Sequence, residues 1–419
     1  MTNVGFLKIM MHYWSGILLL FLFALWNAHS TCAKEEVADV PHAPLPPDIS
    51  LIHHSAFATP APVNDEFINL RHQIHRVLSS YRQRPLNTLE HTPWDVMHWS
   101  LAWGAGATIR HGNNNGDIVH AFDWLNRGGR CNGQVMVASN DGQLVSLQGK
   151  GMQGHTSQYL AIMAQARFPE STPITIDGTR FTIDDLIEFE QKGCHQKNEL
   201  TFTLIAMAHY LDTNAVWKSR DGVTWSLARL VEEELKQPVF GAPCGGTHRL
   251  YALAYACQKR REAIGELDGV YVQANRNYRL LQQKVFRELQ NPDGSFSTAW
   301  FERPENGWDV ERKLRTTGHV LEFLVATVEQ PVLYHPKTVK AVTYLADILE
   351  KEPNKDWKIG PMSHALHCLA IYQERAWSGL TPGAIAAFSG DMRAEADPMP
   401  HEPKPSFRFS LKPLQSMFK

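Results

Sequence analysis

Six positions share a setting that could carry chemistry. His98, His155, Glu199, His248, His319 and His364 each stand at the head of a stretch that is apolar nearly all round. Imidazole titrates near neutrality and ligates metals. If those stretches are helices running side by side, the six residues meet as a polar collar at one mouth, beside helix N-termini that suit an anion. His155, His248, His319, Glu322 and Cys244 are the expected catalytic groups. His98, Trp99, Glu199, Arg249 and His364 are the expected ligand contacts. Glu322 follows His319 by three residues and so shares its helix face. Paired carboxylates across such a mouth are the means by which glycosidases work. The collar has a structural reading too, in which each histidine bonds a neighbouring helix end.

Cys244-Gly-Gly-Thr-His248 is the sharpest local pattern. A thiol and an imidazole four residues apart at a helix start lie on one face, close enough to share a metal, and zinc is the ion such a pair takes. The same placement suits a nucleophilic thiol of low pKa. It also suits a Gly-Gly turn over a buried, inert thiol. All three readings stay open at this point.

The elements that would hold these residues alternate in kind. Residues 65–82, 117–126, 182–192, 223–236, 274–290 and 336–350 are amphipathic with charged faces. Between them run apolar stretches around Met97–Trp103, His155–Ala164, Leu200–Ala208, Thr247–Ala256, Gly318–Ala326 and Ser363–Ile371. A helix without a polar face is surrounded by protein. Six solvated helices alternating with six buried ones, on a period of about 45 residues, predict an all-α fold of stacked helical hairpins. A closed α/α toroid of about six hairpins is favoured over an open solenoid. Asp-Gly stands between β-prone runs in 135–147 and 174–183, which predicts two small β-hairpins in loops. Thr182-Ile-Asp184-Asp185 suits the N-cap of the following helix.

Phe286-Arg-Glu-Leu-Gln290-Asn-Pro-Asp293-Gly294-Ser-Phe296, followed by Trp300, resembles the QW repeat of squalene and oxidosqualene cyclases. The resemblance covers about 11 residues. It implies the toroid shared by terpenoid cyclases and protein prenyltransferases, with Gln290 clasping adjacent hairpins. It does not extend to chemistry. The cyclase Asp-x-Asp-Asp acid has no counterpart, and Ala242-Pro-Cys244 lacks the aspartate of the prenyltransferase zinc set.

The 419 residues carry a formal charge of −2, with 20 histidines and six cysteines. A balance so near neutral excludes the basic face that nucleic acid requires. Lys8, the apolar run 14–26 and small residues at Ala28, Ser30 and Ala33 have the layout of a secretory signal. Residues 1–33 are therefore expected as a signal peptide, 34–63 as a Pro/Ala-rich linker, 64–377 as the toroid and 378–419 as a flexible tail. Export to the periplasm or medium follows; membrane attachment would come only from an uncleaved anchor or from lipidation at Cys32. Two functions fit. One is a toroid binding a small molecule or glycan in its funnel, as an enzyme on a polysaccharide or lipid-linked substrate. The other is a non-catalytic platform of the cell envelope. Oligomeric state leaves no trace in the sequence.

Overall fold

The computed structural model describes Asp65–Trp377, so the expected signal, linker and tail lie outside the described residues. Within them the chain is mostly α: thirteen α-helices, four two-stranded antiparallel hairpins and no larger sheet. No described helix is long and apolar enough to cross a membrane.

Two sets of helices alternate along the chain. The charged set is Asp65–Arg82 (α1), Ala121–Asn126 (α3), Ile183–Lys192 (α5), Leu227–Leu235 (α7), Gly269–Lys284 (α9) and Pro336–Lys351 (α12). The apolar set is Pro93–Trp103 (α2), Gln158–Gln165 (α4), Thr201–Tyr210 (α6), Thr247–Ile264 (α8), Val310–Thr327 (α10) and Ile359–Trp377 (α13). A one-turn helix, Gln330–Leu333 (α11), joins α10 to α12. In α12 the buried residues Thr338, Ala341, Val342, Leu345, Ala346 and Leu349 form one stripe, the mark of a helix half in water. In α6 every residue from Thr201 to Ala208 is buried, because protein surrounds it on all sides.

The apolar helices pack in sequence: α2 on α4, α4 on α6, α6 on α8, α8 on α10, α10 on α13, and α13 back on α2. The first and last charged helices also meet. Gln73 of α1 donates to Asp347 and Glu350 of α12 at 2.7 and 2.9 Å, and Arg76 pairs with Glu350 at 2.9 Å. Buried glutamates on charged helices bind the starts of apolar ones. Glu190 accepts from Ser157 at 2.8 Å; Glu234 accepts from the Leu200 amide at 2.8 Å and the Thr201 hydroxyl at 2.5 Å. A buried helix start left without such partners would be costly.

Gln290 behaves as a clasp. It ends a π-helical turn, Val285–Leu289, and donates to the Lys337 carbonyl at the start of α12 at 2.7 Å. Asp293 of the same loop pairs with Lys313 of α10 at 2.6 Å.

Both Asp-Gly hairpins form, as Val137–Asn140 (β3) with Gln143–Ser146 (β4) and Pro173–Ile176 (β5) with Thr179–Thr182 (β6). Two more were not expected. Thr108–Arg110 (β1) pairs with Ile118–His120 (β2), and Val216–Lys218 (β7) with Thr224–Ser226 (β8). The helices expected over 117–126 and 223–236 therefore begin as strands and start only at Ala121 and Leu227. The β1–β2, β5–β6 and β7–β8 hairpins each turn the chain into the next charged helix, whereas β3–β4 precedes the apolar α4; Thr182 closes a capping box with Asp185, as its sequence suggested.

Candidate metal centre

The loop before α8 is shaped around its cysteine. Pro243–Gly246 forms a 3₁₀ turn in which Cys244, Gly245 and Gly246 all have left-handed φ, of 50°, 66° and 78°. A non-glycine residue in that region costs on the order of 1–3 kcal/mol and persists only where the surroundings over-determine it. They do so here. A Cβ on Gly245 would stand 2.3 Å from the Trp300 ring, and one on Gly246 2.6 Å from the Val239 carbonyl. The loop is pressed flat between those two neighbours, which leaves Cys244 facing His248 and His319.

One ligand atom each from Cys244, His248 and His319 all lie within 4.8 Å of one another. A tetrahedral zinc with S and N donors at about 2.3 and 2.0 Å holds its ligand atoms about 3.5 Å apart, so small side-chain rotations close the set. His319 is already oriented: its Nδ1 donates to the Arg315 carbonyl at 2.8 Å, which leaves Nε2 as a lone pair. Trp300 meets the His319 ring edge-on at 5.7 Å and carries Arg312 over its own face.

His364 packs on His319 with ring centroids 3.9 Å apart and lies 5.0 Å from His248. Its Nδ1 is held by Glu322 Oε2 at 2.7 Å, while Glu322 Oε1 takes His367 Nδ1 at 2.5 Å. One buried carboxylate thus binds two imidazoles. His98 follows the pattern of His319, donating from Nδ1 to the Trp94 carbonyl at 2.8 Å.

Burial lowers the pKa of His98 to about 3, and it holds His248 and His319 well below the ordinary imidazole value, with His364 adding to each. These rings are neutral, the form that ligates metal. Burial alone would raise Glu322, but the charge of His364 and hydrogen bonds from both histidines hold it well below the usual carboxylate range. Burial pushes the Cys244 thiol up to about 11; Arg315 opposes this, and Glu199 and Glu322 add to it. That is the opposite of the low pKa a free nucleophile needs. A metal would deprotonate the thiol outright.

The remaining expected residues divide. His155 and Glu199 do pair, at 2.6 Å, but on the far side of Phe202, whose ring lies between His155 and His248 at 5.0 and 5.2 Å. Arg249 does not reach the collar. It is buried against Glu234 at 3.0 Å and donates to the Pro238 carbonyl, a tie between hairpins. Trp99 is core, with its indole nitrogen bonded to the Thr108 carbonyl at 3.1 Å. The helix N-termini reach only part of the collar: His248 lies in the first turn of α8 and His155 just before α4, and the other histidines lie deeper. His98, His319 and His364 lie more than a turn inside their helices, and the starts of α2 and α10 are capped by the side chains of Thr92 and Asp309.

His98, Gln158, Phe202, His248, His319 and His364, one from each apolar helix, line a cavity of about 20 Å³ together with Glu322 and Tyr251. That is room for about one water or a metal ion. Gln158, Phe202, Tyr251, His367 and Trp300 were not singled out for the site by sequence. His367 could have been, three residues from His364 on one helix face. No protein family, curated protein or solved structure matches this chain.

Proposed function

We propose that the described domain is a closed ring of six helical hairpins built around a transition-metal centre, and that it is an exported metal-dependent hydrolase. The ring reading rests on the cyclic packing of α2, α4, α6, α8, α10 and α13 and on the α1–α12 contact. Export rests on the signal-like pattern of residues 1–33. The observation that carries the metal is the convergence of Cys244, His248 and His319 within 4.8 Å, on a loop held left-handed between Trp300 and Val239. Thiolate and imidazole suit zinc. Three protein ligands leave a fourth position for water or substrate, as in catalytic rather than structural zinc sites. His364, hydrogen-bonded to Glu322, stands beside these ligands.

The small cavity favours a second reading, in which the metal is structural and the domain is an interaction platform. Elemental analysis of the purified full chain tests the centre. About one zinc per chain is expected, lost in Cys244→Ser and His248→Ala. A metal-free protein whose Tm does not move on adding zinc overturns it. Ligand binding stabilises by mass action, about 2.7 kcal/mol at a hundredfold excess over Kd. If the centre is structural, its chelation unfolds the domain; if it is catalytic, the helical content survives.

A further inference from the structure

A second concavity adjoins the metal cavity. Thr92, Trp94, Asn132, Gln134, Lys150 and Gly151 line an open groove of about 530 Å³. The three segments that form it are tied together. The Trp94 amide donates to the Gly151 carbonyl at 3.0 Å, Gln134 Nε2 to the Lys150 carbonyl at 2.9 Å and the Asn132 amide to the Thr88 carbonyl at 2.7 Å. Gly151 has a left-handed φ of 80°, where a side chain is strained, and a Cβ there would have to displace the Gln134 carboxamide, whose Oε1 lies 2.1 Å away. The groove is therefore preformed. Its wall on the metal side is one ring pair, Trp94 against His98, with centroids 3.8 Å apart and planes tilted by 36°. His98 lines the cavity behind it.

We infer that this groove binds an acidic oligosaccharide, with a sugar ring on Trp94 and its carboxylate or sulfate on Lys150. An aromatic face packs against the C–H face of a sugar while polar groups at its rim take the hydroxyls. The Asn132 side-chain carboxamide, the Trp94 indole N–H and the Lys150 ammonium make no protein hydrogen bond among the described residues, and no carboxylate is among the lining residues. A peptide would ask for apolar pockets or a free strand edge, and the lining has one aromatic ring and no aliphatic side chain. Nucleic acid would ask for several cations, and the groove has one. The groove thereby supplies the substrate class of the adjacent centre. That link rests on the metal reading, whereas binding in the groove does not.

Calorimetric titration of trigalacturonate into the full chain, with and without EDTA, tests this. Binding is expected in both conditions, weakened at least tenfold in Lys150→Glu and in Trp94→Leu. Lys150 is exposed, so the Lys150→Glu chain keeps its Tm and remains informative even if Trp94→Leu disturbs packing. Absence of binding overturns the inference. So does Lys150→Glu binding as tightly as the parent, and so does binding abolished by EDTA, which would place the sugar on the metal instead. Binding retained in a protein that proves metal-free would sink the metal centre and leave the groove standing.

Discussion

The collar has two halves with the same residue types and different physics. His155 and Glu199 meet in a half-open setting, their side chains 19 % and 31 % exposed. His364 and Glu322 meet in a closed one, at 7 % and 9 %. Phe202 stands between the halves. In the open half a carboxylate and an imidazole form an ordinary screened pair. In the closed half the same chemistry is multiplied: one carboxylate holds two rings, and unprotonated nitrogens converge with a thiol. Burial, not residue type, separates a half-open hydrogen-bonded pair from a candidate centre.

The largest expected effect follows from that contrast. Glu322→Ala leaves two buried imidazoles without their acceptor and should cost about 3–5 kcal/mol of unfolding free energy, whereas Glu199→Ala should cost about 0–1 kcal/mol. Urea denaturation of the two variants measures both. Equal losses would erase the distinction between the halves.

Backbone carries the contrast next. Gly245 has left-handed φ and lies against Trp300, so Gly245→Ala adds strain and overlap together, about 2–4 kcal/mol. Gly154, beside His155, would place a Cβ at an ordinary 3.7 Å from Trp94, and Gly154→Ala should stay within about 0.5 kcal/mol. Thermal melts of both proteins check this. A Gly245→Ala chain as stable as its parent would mean the loop is free to move, and Cys244 would lose its fixed position.

Much of the scaffold was legible because period reports burial. The stripe in 339–349 and the all-round apolar run in 200–208 named an exposed and a buried helix, and both formed as α12 and α6. Asp141-Gly142 and Asp177-Gly178 named hairpins. Asp221-Gly222 carries the same signal, but the amphipathic stretch 223–236 reads as one helix, so the strand Thr224–Ser226 is absorbed into it. At the site, Cys244 and His248 were legible from spacing. Arg249 and Trp99 were misplaced for one geometric reason: each follows a collar histidine directly, and successive helical residues point about 100° apart. The next side chain along therefore faces another neighbour, Glu234 or the Thr108 carbonyl. The bonds from Glu322 to His364 and His367 join different helices, and no local pattern announces a contact of that kind.

Metal content sharpens the comparison further. His155→Ala should leave the bound zinc unchanged, because Phe202 separates that ring from the three ligands, while His319→Ala should remove it. Elemental analysis of the two variants side by side decides. Loss of metal in His155→Ala would join the halves into one site.

A third histidine setting lies at the far end of the same helices, and it should show the smallest effect. His209, at the C-terminal end of α6, has its Nδ1 2.8 Å from the Tyr255 hydroxyl. Burial lowers its pKa to about 4, with Lys259 and Arg167 adding to the shift. In the unfolded chain the ring takes its proton near the ordinary value of about 6.5. The folded form resists that proton, so the stability the group contributes is intact above about pH 6.5 and is lost as pH falls towards its folded value. His209→Asn keeps a short polar group near Tyr255 but cannot titrate. Its Tm should therefore fall less between pH 7 and pH 5 than that of the parent chain. If the two fall equally, acid sensitivity comes from the closed half of the collar, where several neutral rings resist protonation together.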